Sequence, residues 1–178
     1  VRSGRLTASA DTPKVVSQSD IIVIVVATVV DEKKRPNYSY MEKACKDVGM
    51  GLRRGSLVII ASTVGPTITE TLIKDTLENA SGLKACKDFG LVNSPTRAAP
   101  SRILQDLATY ARVVGAADEK SFRVASLVLE TVAKGGIVRV RDLRTAETVK
   151  LFENVYRDVC LALSNDFGLL CEKIKVDY

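Results

Sequence analysis

Positions 21–26 form an uninterrupted run of β-branched apolar residues, isoleucine and valine. A strand with one face in water alternates apolar and polar residues, whereas a strand covered on both faces of a parallel sheet is continuously apolar. We therefore predict a strand buried on both faces. Similar runs predict further strands at positions 57–60, 89–92, 112–115 and 137–140.

Segments with helical spacing of apolar residues lie between these runs, at positions 38–52, 69–79 and 119–134. Strands that alternate with helices of this length are typical of βαβ units on a parallel sheet. The predicted fold class is therefore α/β, with the later half of a parallel, Rossmann-like sheet followed by a long central α-helix.

That long helix is predicted from Thr145 to about residue 175, because this stretch has no proline and only one glycine, Gly168. Thr145 is the predicted N-cap. At 1.5 Å per residue the helix would be about 45 Å long, which exceeds what a Rossmann sheet packs against. We expect it to leave the α/β domain and to begin a second domain or a dimer interface.

Composition excludes several classes of function. The chain has no histidine, which rules out a Ser-His-Asp or Cys-His catalytic site and a histidine general base. Its net charge of +5 is scattered, which predicts a solvated surface rather than a nucleic-acid site. The apolar run 21–30 is too short to span a membrane. Four cysteines without a C-x-x-C pair predict a reduced, cytoplasmic protein without a structural metal.

The glycines at 49, 51 and 55 imitate a dinucleotide-binding turn, but their context is reversed. Such a turn follows a strand and opens a helix, whereas here a predicted helix precedes the glycines and a strand follows them. We interpret them as the end of the helix. The phosphate-binding half of a dinucleotide site would then lie before Val1.

The turn at positions 61–70 follows a buried strand and opens a helix. Thr67 and Glu70 fit a capping box at the start of that helix. Ligands of parallel α/β sheets bind beyond the carboxyl ends of strands, so the hydroxyls of Ser62 and Thr63 are candidates for ligand contact, as is Thr28 after the first strand. The alternative is a capped helix without a ligand.

The long helix carries a polar stripe among apolar neighbours. At 100° per residue, Lys150, Asn154 and Arg157 lie within about 60° of each other, and Asn165 extends the same side. A lysine, an amide and a guanidinium together could bind an anionic or sugar-bearing ligand. The alternative is a solvated helix face on which Glu153 and Asp158 pair with the cations. Cys160 and Cys171 share another face and are predicted core residues.

The helix sequence R-T-A-E-T-V-K-L-F-E-N-V-Y-R-D-V at 144–159 resembles the central helix of nucleotide-sugar 6-dehydrogenases, and most closely their UDP-N-acetylmannosamine dehydrogenase branch. Other pieces resemble family motifs and occur in the family's order: Val26-Ala27-Thr28, Ser62-Thr63-Val64, Ser94-Pro95-Thr96-Arg97-Ala98 and Arg112-Val113-Val114-Gly115.

The resemblance implies that residues 1–143 form the later part of an NAD-binding Rossmann domain and residues 144–178 a central helix that builds a homodimer. It implies NAD-dependent oxidation of C6 of a UDP-N-acetylhexosamine, UDP-N-acetylmannosamine above all, or of a UDP-hexose. The implied roles are catalysis for Lys150 and Asn154, substrate binding for Arg97, Ala98 and Arg157, and cofactor binding for Thr28, Ser62 and Thr63.

The chain also departs from the family pattern. It has no glycine fingerprint and no G-G-H-C turn, which carries the family's nucleophilic cysteine. Thr96 stands where the family has a glutamate. We therefore expect an internal part of such an enzyme, without turnover on its own.

Two alternatives stay open: a related NAD-dependent dehydrogenase of small hydroxy acids, and a non-catalytic dimerising module.

Overall fold

The computed structural model describes residues 5–98 and 100–177. Residues 1–4, 99 and 178, which the predicted domain ranges include, lie outside the described residues. The strands are β1 (Ile21–Ile24), β2 (Val29–Val30), β3 (Pro36–Asn37), β4 (Leu57–Ile60), β5 (Gly90–Asn93), β6 (Arg112–Ala116) and β7 (Ile137–Arg139). The α-helices are α1 (Thr12–Val16), α2 (Ser39–Gly51), α3 (Lys74–Ser81), α4 (Ile103–Thr109), α5 (Glu119–Glu130) and α6 (Leu143–Ile174). A π-helical turn at Thr69–Ile73 leads into α3, and a 3-10 turn at Pro100–Arg102 precedes α4.

The central sheet has the strand order β1-β4-β5-β6-β7. β1, β4 and β5 are parallel, with Ile22 opposite Val58 and Val58 opposite Leu91. This confirms a mostly parallel sheet in an α/β fold. One step departs from the predicted parallel pairing, because β5 and β6 are antiparallel. In the described part of the chain between them lie the 3-10 turn and the seven-residue α4. The parallel pairing resumes between β6 and β7, which α5 connects.

The sheet packs between two apolar layers. On one face Val58 and Ile60 of β4 join a cluster with residues of α1, α2, the π-helical turn and α3. On the other face Leu57 and Ile59 pack with Ala125 of α5. β4 is therefore buried on both faces, as its sequence predicts.

The prediction that the first strand is buried on both faces is wrong for β1. Ile22 and Ile24 are buried, but Ile21 and Val23 are 37% and 52% exposed, so only one face is covered. β1 lies at the edge of the sheet, and α5, which covers the second face, packs on β4, β5, β6 and β7. An apolar groove of about 790 Å³ runs along this strand and contains none of the predicted site residues.

Two glycines allow helices to approach their neighbours closely. α2 ends at Gly51, as predicted, where a Cβ would lie 2.2 Å from the carbonyl oxygen of Pro13. On β6, a Cβ at Gly115 would lie 2.2 Å from the carbonyl oxygen of Asp142, immediately before α6. The first turn of α6 thus packs directly on β6.

α6 confirms the predicted long helix, but its N-cap is Asp142 rather than Thr145. The Asp142 carboxylate accepts hydrogen bonds from the backbone N–H of Thr145 at 2.8 Å and from its hydroxyl at 2.6 Å. Thr145 therefore donates to the cap, because a carboxylate three residues earlier satisfies the free N–H groups of the first turn. Residues 5–98 and 100–177 contain no helix with the length and hydropathy that a membrane span requires.

Candidate functional site

The ends of β1 and β4 are joined by the hydroxyls that the sequence singled out. Ser62 Oγ donates to the carbonyl of Val26 at 2.7 Å and accepts from its N–H at 2.8 Å. Thr28 Oγ1 donates to the carbonyl of Thr63 at 2.7 Å. These three residues therefore lie together at the carboxyl edge of the sheet, where parallel α/β proteins bind ligands. Ser62 and Thr28 are engaged within the protein, and within the described part of the chain the Thr63 hydroxyl has no partner.

The predicted capping box of Thr67 and Glu70 is wrong. Thr67 has a left-handed backbone (φ 76°), and its N–H donates to Glu147 Oε2 of α6 at 2.7 Å. The N–H of Thr69 donates to Glu147 Oε1, also at 2.7 Å. Glu70 turns outward and binds Arg144 at 2.9 Å. A carboxylate distant in sequence thus provides the cap that local spacing had assigned to Glu70.

Glu147 is the main site residue that sequence reasoning missed. It is 1% exposed, and burial raises the pKa of its carboxyl group, while the hydrogen bonds from Thr69 and Thr67 oppose that rise. One signal was present in the sequence: an acidic residue adjoins Ala146 on the inward side of a helix and stands three residues before Lys150. Buried carboxylates need specific donors, and these donors come from a turn about eighty residues earlier.

Lys150 lies at the point where α6 leaves the sheet, and it is only 8% exposed. Burial lowers the pKa of its ammonium group below the usual 10.5. Glu153 opposes this shift, whereas the positive charges of Arg157 and Arg97 add to it. A lysine with a lowered pKa is a better proton acceptor near neutral pH than an exposed one.

The structure brings Arg97 to the same helix. Its guanidinium binds the Glu153 carboxylate at 2.8 Å through Nε and 2.5 Å through Nη2, and donates to the carbonyl of Ala111 at 3.0 Å. Glu153 does pair with a cation, as the alternative of a solvated helix face expected, but its partner comes from the segment after β5. The face is therefore a junction between two elements.

Beside this junction lies an open cavity of about 410 Å³. Two arginines, two tyrosines, a glutamate and a cysteine line it: Arg97, Arg157, Tyr110, Tyr156, Glu153 and Cys160. Positive charge next to aromatic rings suits an anionic ligand with a flat ring, such as a nucleotide. The other predicted polar residues, Asn154 and Asn165, are exposed on α6, and Ala98 is half-buried.

The prediction of core cysteines on α6 is wrong. Cys160 is exposed and Cys171 half-buried, and in the part of α6 beyond Lys150 the buried residue is Gly168. Cys45 is the buried cysteine, and burial raises the pKa of its thiol to about 12, which keeps it protonated and unreactive. All four cysteines are free. Among the described residues no cluster of acidic or thiol side chains could hold a metal ion.

The mostly parallel sheet and the hydroxyls at its carboxyl edge are typical of a nucleotide-binding α/β domain, here joined to a long helix. Comparison with known families agrees: the profile of the UDP-glucose/GDP-mannose dehydrogenase family, NAD binding domain, matches residues 1–133. The chain belongs to this family, which confirms the resemblance found in the sequence and NAD as the cofactor.

Similar proteins are nucleotide-sugar dehydrogenases. The chain is 38% identical over 159 residues to UDP-N-acetyl-D-mannosamine dehydrogenase of Pyrococcus horikoshii, covering 89% of this chain and 37% of that protein. The enzyme of the same name from Methanocaldococcus jannaschii is 34% identical over 180 residues, covering 99% of this chain and 39% of that protein. The chain thus spans less than two fifths of these relatives.

Solved structures show the same fold. The UDP-N-acetylmannosamine dehydrogenase structure from Pyrococcus horikoshii superposes with a TM-score of 0.84 at 36% identity, covering 92% of this chain and 38% of that one. GDP-mannose dehydrogenase from Pseudomonas aeruginosa gives a TM-score of 0.92 at 26% identity, covering 99% and 41%.

The residues present fit one side of an NAD site. The Thr63 hydroxyl, which has no partner among residues 5–98 and 100–177, stands at the carboxyl edge of parallel strands whose ends Thr28 and Ser62 hold together. A hydroxyl both donates and accepts, so it suits the carboxamide or ribose of a nicotinamide nucleotide.

Proposed function

We propose that this chain supplies the later part of the NAD-binding domain (1–143) and the central helix (144–178) of a nucleotide-sugar 6-dehydrogenase. The substrate we assign is a UDP-N-acetylhexosamine, with UDP-N-acetylmannosamine first and a UDP-hexose as the nearest variant, and the product is the C6 uronate. The observation that carries the proposal is Lys150, a buried lysine with a lowered pKa beside Arg97 and Arg157. The names of the relatives support the substrate class.

In the proposed reaction, Lys150 Nζ takes the proton of the C6 hydroxyl and stabilises negative charge that develops on the oxygen. Asn154, one turn further along α6, would orient the sugar through its amide. Thr28, Ser62 and Thr63 would line the nicotinamide side of the NAD site. NAD supplies the hydride acceptor when bound.

Arg97, the backbone at Ala98 and Arg157 would bind the nucleotide diphosphate of the substrate. Arginine forms paired hydrogen bonds with phosphate oxygens, and the cavity next to Arg97 and Arg157 has room for part of a nucleotide. Thr96 has no carboxylate, so any hydrolysis that follows the second oxidation needs another base. Because the sequence has no G-G-H-C turn, we expect no turnover from the 178-residue chain alone.

The proposal includes a homodimer built through residues 144–178. Beyond Lys150, large apolar side chains of α6 are exposed, among them Phe152 (70%), Tyr156 (73%) and Leu169 (64%). Exposed apolar surface of this extent marks an interaction site. We also propose a cytoplasmic enzyme that supplies uronates for polysaccharide biosynthesis; four free cysteines agree with a reducing compartment.

The test begins with about 100 residues of coding sequence on each side of this segment, one domain's worth. An upstream G-x-G-x-x-G turn and a downstream glycine-flanked cysteine are expected. The full-length protein is then assayed for NADH formation with UDP-N-acetylmannosamine, UDP-N-acetylglucosamine and UDP-glucose. A small hydroxy acid is the control. Turnover of the hydroxy acid alone would overturn the proposal, as would the absence of NAD and UDP-sugar binding by calorimetry.

A further inference from the structure

One buried carboxylate joins the three segments of the candidate site. Glu147 of α6 receives the N–H groups of Thr67 and Thr69, both at 2.7 Å, from the turn that begins with Ser62 and Thr63. Glu147 is 1% and Thr69 0% exposed, so the Thr69 hydrogen bond is fully buried, while the Thr67 hydrogen bond is partly buried. Each carboxylate oxygen therefore has a fixed backbone donor.

The contact extends to the third segment through Thr69. Its hydroxyl accepts a hydrogen bond from the side-chain amide of Asn93, the last residue of β5, at 3.0 Å. The chain continues from Asn93 into Arg97 and Ala98, the proposed substrate segment. The backbone of Thr96 in turn donates to the carbonyl of Ala61 at 3.0 Å. The turn that begins with Ser62 and Thr63 (the cofactor turn), the substrate segment and α6 thus meet at the Glu147–Thr69–Asn93 network.

Glu147 stands three residues before Lys150, which is about 4.5 Å along the helix axis. Both residues lie in the stretch of α6 that rests on the sheet, so the helix transmits the position of one to the other. A second tie between α6 and the turn exists at the surface, where Arg144 binds Glu70. That ion pair is solvent-exposed and contributes little to geometry or stability.

We propose that Glu147 is a positioning residue: its carboxylate fixes the cofactor turn at a set distance and angle from Lys150. This inference rests on the proposed function for its catalytic consequence. The inference goes beyond the proposed function by assigning a role to a residue that the proposed function places in contact with neither substrate nor cofactor. A displacement of about 1 Å between reacting groups lowers a reaction rate by about 100-fold.

The test replaces Glu147 by glutamine, which has almost the same shape but only one acceptor oxygen. One of the two N–H groups must then face an NH₂ group and loses its partner. The matched control is Glu70→Gln, which breaks the surface tie between the same two elements. Both variants are assayed as full-length protein, under conditions in which urea titration shows the same folded fraction as the wild type.

For Glu147→Gln we expect kcat to fall about 100-fold, while KM for NAD and UDP-sugar changes less than about threefold, because positioning acts on the transition state. Glu70→Gln should keep the wild-type kcat. Amide hydrogen exchange at Thr67 and Thr69 should accelerate by about 10- to 100-fold in Glu147→Gln, as expected for lost hydrogen bonds to a charged group, and stay unchanged in Glu70→Gln.

A kcat within about twofold of wild type in Glu147→Gln would overturn the proposal, as would equal losses in both variants. If the wild-type protein oxidises no UDP-sugar, the proposed function fails, and the exchange measurement decides on Glu147 by itself. Unchanged protection of Thr67 and Thr69 in Glu147→Gln would then overturn the inference, and faster exchange confined to this turn would support it.

Discussion

The two ends of α6 differ sharply although they belong to one continuous helix. Its base, residues 143–150, is seated on the sheet and holds most of the helix's buried residues, namely Leu143, Ala146, Glu147 and Lys150. In the distal part, residues 151–174, the buried residue is Gly168. The base contains a buried glutamate and a buried lysine, whereas the distal part exposes phenylalanine, tyrosine and leucine.

This difference shows that burial in this protein follows the underlying sheet rather than residue type. The buried charge of Glu147 in the base is balanced by backbone N–H groups of a distant turn, whereas burial of Lys150 lowers the pKa of its ammonium group. Large apolar side chains of the distal part are exposed, although Glu153 at its start binds Arg97. The base is therefore expected to carry stability and chemistry, and the distal part association.

The largest expected effect is at Lys150. In the full-length enzyme, Lys150→Ala should lower kcat by about 10²- to 10⁴-fold, the contribution of a general acid–base group. Because burial lowers the pKa of Lys150, wild-type activity should rise with pH through a value below 10.5, as the amine loses its proton. Steady-state kinetics across pH measures both.

The control for that variant is Lys173→Ala, which removes an exposed lysine from the last turn of α6. It should keep the wild-type kcat and pH profile. Near wild-type turnover in Lys150→Ala would contradict the assigned role.

The next largest effect concerns the packing of the base of α6 on β6. Gly115→Ala places a Cβ 2.2 Å from the Asp142 carbonyl, so α6 must shift or β6 must bend. We expect a loss of about 3 kcal/mol in the free energy of unfolding, at the upper end for overpacking. Urea denaturation measures the loss.

Gly82→Ala is the comparison, since its Cβ meets open space and only its φ of +70° is unfavourable. It should cost about 1 kcal/mol, the penalty for a left-handed residue. Equal costs for the two variants would show that α6 is not seated closely on β6.

A smaller effect is expected at the N-cap of the base. Hydrogen bonds from Thr145 lower the pKa of Asp142 from 3.8 to about 2, so its stabilisation is complete above pH 3.8 and lost as pH falls through about 2. Asp142→Ala should cost about 1 kcal/mol at neutral pH. The difference from wild type should shrink at acid pH in urea titrations.

Asn is a good N-cap without a charge, so Asp142→Asn should stay close to the wild type at neutral pH. A wild-type advantage over Asp142→Ala that does not change between pH 5 and pH 2 would contradict the role of the ionised carboxylate.

The smallest effect on folding is expected in the distal part. Phe152→Ser should change the free energy of unfolding of the monomer by less than about 0.5 kcal/mol, because the side chain is 70% exposed. The same substitution should weaken self-association, which sedimentation at several concentrations measures. A monomer strongly destabilised by Phe152→Ser would remove the contrast between the two ends.

Local sequence patterns predicted the strands of the central sheet and the longer helices, but not α1, α4 and the short strands β2 and β3. The β-branched runs located β4, β5, β6 and β7, and the helical spacing located α2, α5 and the whole of α6, because helix and strand preferences act over a few neighbouring residues. The sequence also placed Ser62, Thr63 and Thr28 at strand ends, since the edge follows from parallel pairing. The motif order identified the family.

Tertiary structure alone decided three matters. β1 has the same pattern as β4, but its exposed face depends on where α5 packs. The reversal between β5 and β6 depends on the path of the chain around α4. The cap at Thr67 and Thr69 comes from Glu147, about eighty residues away. A buried carboxylate accepts hydrogen bonds from whichever donors lie beside it in the folded protein, and these donors are distant from it in sequence.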